Sequence, residues 1–166
     1  MGEEILAIVN ENDEVIGTAA RSEVEEKGLL YRCSGVYPML NGKFVLQKRS
    51  ATKKIRPQHW SMVEETVKSG ETYEEAARRG VREEMGLEVF ELKDAGKITI
   101  RDEEYNDNFI LKIFIAKCKG KIKIDKKEVA QAKQVSVREA EELAKTSQKI
   151  SLGFHNTIAM ARSSLK

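Results

Sequence analysis

The stretch GETYEEAARRGVREEMGL, residues 70–87, is the most informative part of this sequence. Thr72 and Glu75 have the spacing of a capping box, in which each side chain satisfies a free N–H at the start of a helix. Gly86 is typical of the residue that ends a helix. The pattern therefore predicts a helix over residues 72–85. Positions 80, 83 and 84 would share one face of it, because residues three and four apart are neighbours on a helix.

Carboxylates on that face indicate a metal site. Glu83 and Glu84 would present hard oxygens to Mg²⁺, which also binds the phosphate oxygens of a substrate. Such a metal neutralises charge and helps to place an attacking water, so both residues are candidate ligands and catalytic groups. Glu71, one residue before the cap, would add a third carboxylate. The alternative is that these glutamates are solvated, with Glu71 favouring the positive end of the helix dipole and Arg79 forming an i,i+4 pair.

The spacing of this segment resembles the Nudix box, which reads G, five residues, E, seven residues, then R-E-U-x-E-E-x-G-U with U aliphatic. Seven of the nine specified positions match. They are Glu71, Arg79, Val81, Glu83, Glu84, Gly86 and Leu87. The resemblance implies an α+β fold, a Nudix-type α/β/α sandwich with a mixed sheet flanked by helices. It also implies Mg²⁺ (or Mn²⁺) as cofactor, a small-molecule diphosphate substrate, a homodimer as one assembly, and Arg79 as the residue that orients the carboxylates.

Two positions depart from the box. Glu65 replaces its opening glycine, and Gly80 replaces the first glutamate of R-E-U-x-E-E, which binds metal or acts as general base in many family members. The family usually has Gly-Gly where this chain has Glu64-Glu65. We hypothesise that Glu65, or failing that Glu64, supplies the lost carboxylate, because Gly80 would leave open space for a side chain from the preceding loop. The alternative is independent drift at both positions.

Three functions remain open at this point. The chain is an active hydrolase whose base comes from elsewhere, a domain that binds a nucleotide or diphosphate without turnover, or an interaction scaffold. Residues 9–24 and 45–50 resemble the branch of the family that includes isopentenyl-diphosphate isomerase. That enzyme needs a cysteine after Trp60 and a histidine-rich metal site, and this chain offers only His59 and His155. A hydrolase is therefore predicted, with nucleoside diphosphate derivatives as the generic substrate class.

A basic stretch precedes the box, over residues 48–56. Arg49 and Lys53 are predicted to hold substrate phosphates, with Arg49 favoured because it closes a strand. A solvated, flexible loop explains the same residues equally well. His59 is predicted to be structural or exposed, although it would lie beside Trp60 and within reach of a substrate.

Composition bounds the remaining possibilities. The chain has 166 residues, 40% of them hydrophobic, and a net charge of +2, which argues against dedicated nucleic-acid binding. Cys33 and Cys118 fit no metal or redox spacing and are predicted to be small core residues in a reducing compartment. No signal-peptide pattern or membrane-spanning run is seen. We therefore expect one domain, residues 1–166, in the cytoplasm.

The other elements are predicted from short-range patterns. Asn41-Gly42 is the favoured two-residue turn of a hairpin. The predicted strands are 4–9, 33–40, 43–48, 60–67, 95–101, 109–117, 122–124 and 135–137. The predicted helices outside the box are 21–27, 138–146 and 154–164, with an irregular loop over 49–59. Strands and helices mixed without βαβ alternation favour an α+β fold.

Overall fold

A computed structural model of the protein describes residues 2–165, which form a nine-stranded mixed sheet and four helices. The elements are β1 (Ile5–Val9), β2 (Val15–Ala20), α1 (Arg21–Lys27), β3 (Leu30–Leu40), β4 (Lys43–Arg49), β5 (Trp60–Ser61), β6 (Val63–Thr66), α2 (Tyr73–Met85), β7 (Glu88–Asp102), β8 (Asp107–Lys119), β9 (Val129–Val135), α3 (Val137–Thr146) and α4 (Leu152–Ser163). The predicted α+β class is confirmed.

Strand β3 is the centre of the sheet. It runs parallel to β8 from the pair Leu30–Asn108 to the pair Met39–Lys117, and antiparallel to β6. The hairpin with β4 closes at Asn41-Gly42, where both residues have positive φ, 53° and 78°. Strand β4 pairs in turn with β9 and with the short β5.

The sheet carries a hydrophobic core on each face. One core packs helices α3 and α4 with β3, β4 and β8, and its largest buried side chains include Tyr37, Phe44 and Phe154. The other core packs α2 through the buried face Ala76, Ala77, Val81 and Met85. This is the predicted sandwich of helices around a mixed sheet. Within the described residues, no helix is long and apolar enough to cross a membrane.

Two predicted strands are wrong for identifiable reasons. Residues 122–124 form no strand, because Lys123 N–H donates to the carbonyl of Met85 and thereby binds the end of α2. Residues 135–137 do not form a separate strand either. Val135 ends β9, and the Ser136 side chain caps α3 by accepting from Glu139 N–H. Strand β2 was not predicted, and β7 begins seven residues earlier than the predicted residue 95.

Candidate active site

Helix α2 is held in place by its two ends and its apolar face. Thr72 and Glu75 form the predicted capping box, and Gly86 ends the helix in a left-handed conformation. The buried face fixes the rotation of the helix, so that Glu84 turns inward with 6% exposure. Glu83, one residue earlier, lies at the rim with 54% of its side chain exposed.

A cavity of about 720 Å³ opens beside this helix. Its walls come from α1, α2 and the start of α4, from the strands β3, β4, β6, β7 and β8, and from the basic loop after β4. The polar side chains that line it include Gln47, Arg49, Glu64, Glu65, Glu83 and Glu84. The cavity thus brings together the two glutamates of α2, the two adjacent glutamates of β6, and Arg49.

Glu84 is the most deeply buried carboxylate of the site. Gln47 on β4 donates from Nε2 to Glu84 Oε1 at 3.0 Å. Glu84 Oε2 has no partner among the described residues while Glu65 is ionised, but it is close enough to Glu65 to share a hydrogen bond when one of the two carries a proton. Burial, and then the neighbouring Glu65 carboxylate, raise the pKa of Glu84 well above its ordinary value.

Glu65 and Gly80 fit against each other. A Cβ placed on Gly80 would lie 2.9 Å from the Cβ of Glu65 and 3.2 Å from its Cγ. The space that Gly80 was expected to leave for a neighbouring side chain is therefore present, and the stem of Glu65 fills it. Glu65 also belongs to strand β6, where it pairs with Ser34, and not to a loop. Burial raises the pKa of Glu65, and the adjacent Arg79 opposes that rise.

Arg79 connects the carboxylates. It donates to both oxygens of Glu71, at 2.8 and 2.9 Å, and to the carbonyl of Thr66. The same guanidinium lies 3.1 Å from Glu65 and 3.5 Å from Glu83. Glu71, predicted as a metal ligand, lies outside the cavity lining with both oxygens bound by Arg79. Its place in the structure is that of a partner that fixes Arg79.

The two predicted phosphate-binding residues have different surroundings. Arg49 lines the cavity, and its Nε donates to the carbonyl of Ile55 at 3.0 Å, which fixes the direction of the guanidinium. Lys53 also lines the cavity but forms an ion pair of 2.5 Å with Glu128. His59 is tied to the carbonyl of Pro57 at 2.8 Å and is not part of the cavity lining.

The carboxylates suit a divalent cation that is shared with a substrate. Within the described residues, no group of three or more His, Cys, Asp or Glu side chains is arranged as a ready-made metal cage. Mg²⁺ is usually held by one or two carboxylates together with substrate phosphates and water. The unpartnered Oε2 of Glu84 and the rim residue Glu83 meet that requirement. These two residues would hold the metal, with Glu65 beside Glu84.

Two residues of the site were not predicted as part of it. Gln47 is the last buried residue of β4, and a buried amide needs a polar partner. In the sequence it stands between an apolar run and two basic residues, so its burial could not be foreseen there. Glu64 was considered only as a substitute for Glu65, although it faces a different part of the same cavity.

The raised pKa of Glu84 predicts how the stability of the metal-free protein depends on pH. A carboxyl whose pKa is higher in the folded than in the unfolded state stabilises the fold below the unfolded value, 4.5, and this contribution is lost as the pH rises through the folded value. We expect the melting temperature of the wild type, relative to Glu84→Gln, to fall as the pH rises above 4.5. Differential scanning fluorimetry in EDTA measures this. A difference that does not change with pH would contradict the raised pKa.

The comparisons with known proteins agree with this architecture. The family model described as NUDIX domain matches residues 30–153. An uncharacterized Nudix hydrolase of Streptomyces coelicolor is 41% identical over 86 residues, which are 51% of this chain and 48% of that protein. An isopentenyl-diphosphate Delta-isomerase of Photorhabdus laumondii is 36% identical over 88 residues, which are 52% of this chain and 50% of that protein. The chain thus spans about half the length of these two relatives.

The fold is also similar to that of solved structures. A crystal structure of a Deinococcus radiodurans protein covers 94% of this chain and 98% of its own chain, with a TM-score of 0.75 and 20% sequence identity. The identity is low, so this likeness concerns the fold alone. The matched family model covers most of the chain, including the box, the central strand and the start of α4. This chain belongs to the Nudix family.

Proposed function

We propose that this chain hydrolyses a diphosphate linkage, in a nucleoside diphosphate derivative, with Mg²⁺ or Mn²⁺ held by carboxylates of the cavity. The observation that carries this proposal is the close pair Glu65–Glu84, which lies in a cavity that also contains Arg49. Two adjacent buried carboxylates repel each other when both are ionised. A bound divalent cation would remove that repulsion and give the pair a function.

Each residue of the site has a separate proposed role. The metal, when bound, supplies Lewis-acid charge neutralisation at the phosphate oxygens. Glu84, oriented by Gln47, and Glu83 at the rim are the ligands proposed from the helix. Arg49 faces the same cavity and binds a substrate phosphate oxygen. Arg79 is proposed to position Glu65 through an ion pair, and Arg79 is itself held by Glu71.

Glu65 is proposed as the general base. A water oxygen attacks one phosphorus atom and forms a new P–O bond, while the bond from that phosphorus to the bridging oxygen breaks. The bridging oxygen leaves with the second phosphate, and the proton of the water passes to a carboxylate oxygen of Glu65. A base needs only hydrogen-bond reach of the attacking water, whichever segment supplies it. The raised pKa of Glu65 makes it a better proton acceptor than an ordinary carboxylate.

A substrate screen tests the proposal. Purified protein is incubated with nucleoside diphosphate sugars, dinucleoside polyphosphates and nucleoside triphosphates, with Mg²⁺ or Mn²⁺ and with EDTA as control. We expect metal-dependent release of a nucleoside monophosphate or diphosphate from at least one class. Saturable binding without release would support a binding domain, and neither binding nor release would support an interaction scaffold. Either result would overturn the proposed hydrolysis.

A further inference from the structure

A second carboxylate faces the cavity away from the proposed catalytic pair. Glu64 and Glu65 are successive residues of β6, so their side chains leave the strand in opposite directions. Glu65 packs against Gly80 of α2, whereas Glu64 reaches the start of α4. A Cβ placed on Gly153 would lie 1.9 Å from Glu64 Oε1. Gly153 therefore leaves room for this carboxylate to lie against the helix.

The hydrogen bonds of Glu64 leave one of its oxygens available. Ser61 donates to Glu64 Oε2 at 3.1 Å, and Ser61 is itself bonded to Ser151 at the cap of α4. Among the described residues, Glu64 Oε1 accepts no hydrogen bond, and it is not sealed from the cavity. The carboxylate is thus fixed in direction by Ser61 and presents an acceptor to a ligand.

The wall of the cavity combines apolar side chains with polar groups. Tyr31, Ile100 and Phe109 line the same cavity as Glu64. Asp107 also lines it and accepts a hydrogen bond of 2.7 Å from the hydroxyl of Tyr31. A nucleoside or sugar matches such a wall, because it has apolar faces together with N–H and O–H donors. A prenyl chain matches only the apolar part.

We propose that Glu64 selects the group attached to the diphosphate by accepting hydrogen bonds from its N–H or O–H donors. The inference rests on the proposed function, because it assumes a diphosphate at Arg49 and the catalytic carboxylates. A nucleoside or sugar diphosphate donates a hydrogen bond to the free oxygen of the Glu64 carboxylate. An isoprenyl diphosphate covers the carboxylate with hydrocarbon and removes its water without replacing the hydrogen bonds, which is unfavourable for a polar group. Glu64 is therefore a specificity-determining residue that acts against apolar substrates.

The test compares two probe classes on the full chain. ADP, GDP, CDP and UDP are measured against isopentenyl and geranyl diphosphate by calorimetry in EDTA, and kcat/KM is measured for UDP-glucose, ADP-ribose and the same prenyl diphosphates with Mg²⁺. We expect the wild type to favour the nucleoside class. In Glu64→Leu the ratio of nucleoside to prenyl affinity should fall by about 10- to 100-fold, which is the value of a hydrogen bond to a charged group.

A second variant separates selection from a structural role. Gly153→Ala keeps the Glu64 carboxylate but displaces it, and a flexible side chain can move at small cost. The ratio should fall in this variant as well, whereas Glu91→Gln on the exposed side of β7 should leave it unchanged. A ratio within twofold of the wild type in both Glu64→Leu and Gly153→Ala overturns the inference, and so does tighter binding of prenyl diphosphates by the wild type. Absence of turnover overturns the proposed hydrolysis alone, because the calorimetric ratio still decides the role of Glu64.

Discussion

Glu84→Gln is expected to lower kcat/KM for the diphosphate substrate by roughly 10³-fold, because a charged ligand of the metal is replaced by a neutral amide. The magnitude follows from several kcal/mol of charge stabilisation, at about 1.4 kcal/mol for each factor of ten. Glu84 is the ligand chosen for substitution, because it is buried and its Oε2 has no fixed partner while Glu65 is ionised. Steady-state assays over a range of Mg²⁺ concentrations measure the loss.

Binding and folding must be measured on the same variant. The glutamine has nearly the shape of the glutamate and cannot ionise, so it removes a buried charge at little cost to packing. We expect the melting temperature of metal-free Glu84→Gln at about pH 8 to equal or exceed that of the wild type. The rise in melting temperature on adding Mg²⁺ should be lost. Glu91→Gln, which removes an exposed carboxylate paired with Lys117, should behave as the wild type in every assay.

The opposite results would show that Glu84 is not a metal ligand. Turnover and Mg²⁺-dependent stabilisation that survive in Glu84→Gln would show that Glu84 is a buried structural carboxylate held by Gln47. A variant that unfolds would instead show that the pair with Gln47 is needed for the fold. The melting temperature in EDTA distinguishes these two outcomes directly.

Much of the architecture was predictable because it depends on local signals. The capping box, the Asn41-Gly42 turn and Gly86 each act through neighbouring residues, and the structure has all three. Residues 122–124 look like a strand by composition, but the backbone partner of Lys123 is Met85 at the end of α2, 38 residues earlier in the chain. No local pattern contains that contact. The sequence separation explains why this prediction was wrong.

The site was predictable as a set of residue types, but its pairings were not. The box pattern indicated which glutamates share the face of α2. It did not indicate that Arg79 binds both oxygens of Glu71, or that Gln47 from another strand orients Glu84. These contacts depend on how β4 and β6 pack around the helix. We therefore propose that Glu71 positions Arg79, and its role as a metal ligand stays a prediction.

The second large effect is expected at Glu65, which is proposed to replace the family glutamate that is missing at Gly80. Glu65→Gln is expected to lower kcat by roughly 10²- to 10⁴-fold, the usual contribution of a general base. The substrate KM should change little, because Glu65 is proposed to contact the attacking water and not the leaving group. A pH–rate profile should also lose its acidic limb in this variant, since that limb would report the protonation of Glu65.

Restoring the family glutamate at position 80, with Glu65 unchanged, should not increase the activity. In Gly80→Glu the new Cβ would lie 2.9 Å from Glu65 Cβ, which is part of the strand and cannot swing away as the end of a flexible side chain can. Overpacking of this kind costs about 1–3 kcal/mol, against about 1 kcal/mol gained by removing a glycine from a helix. We expect Gly80→Glu to be less stable than the wild type and no more active. Chemical denaturation measures the stability, and the metal-dependent hydrolysis assay measures the activity.

The exchanged double variant Glu65→Gly/Gly80→Glu should recover part of the lost activity, because it removes the clash and returns a carboxylate to the same region from the other side. Glu65→Gly alone is the matched control, and it should be as inactive as Glu65→Gln. Residues in contact show coupling free energies of about 0.5–3 kcal/mol in a double-mutant cycle, so the two substitutions should be strongly non-additive in both activity and stability. If Glu65→Gln retains turnover while Gly80→Glu alone increases it, Glu65 is not the base and the site is a weakened Nudix centre. Because Glu65 and Gly80 are complementary in shape, the double variant distinguishes a carboxylate that has moved from position 80 to position 65 from two independent substitutions.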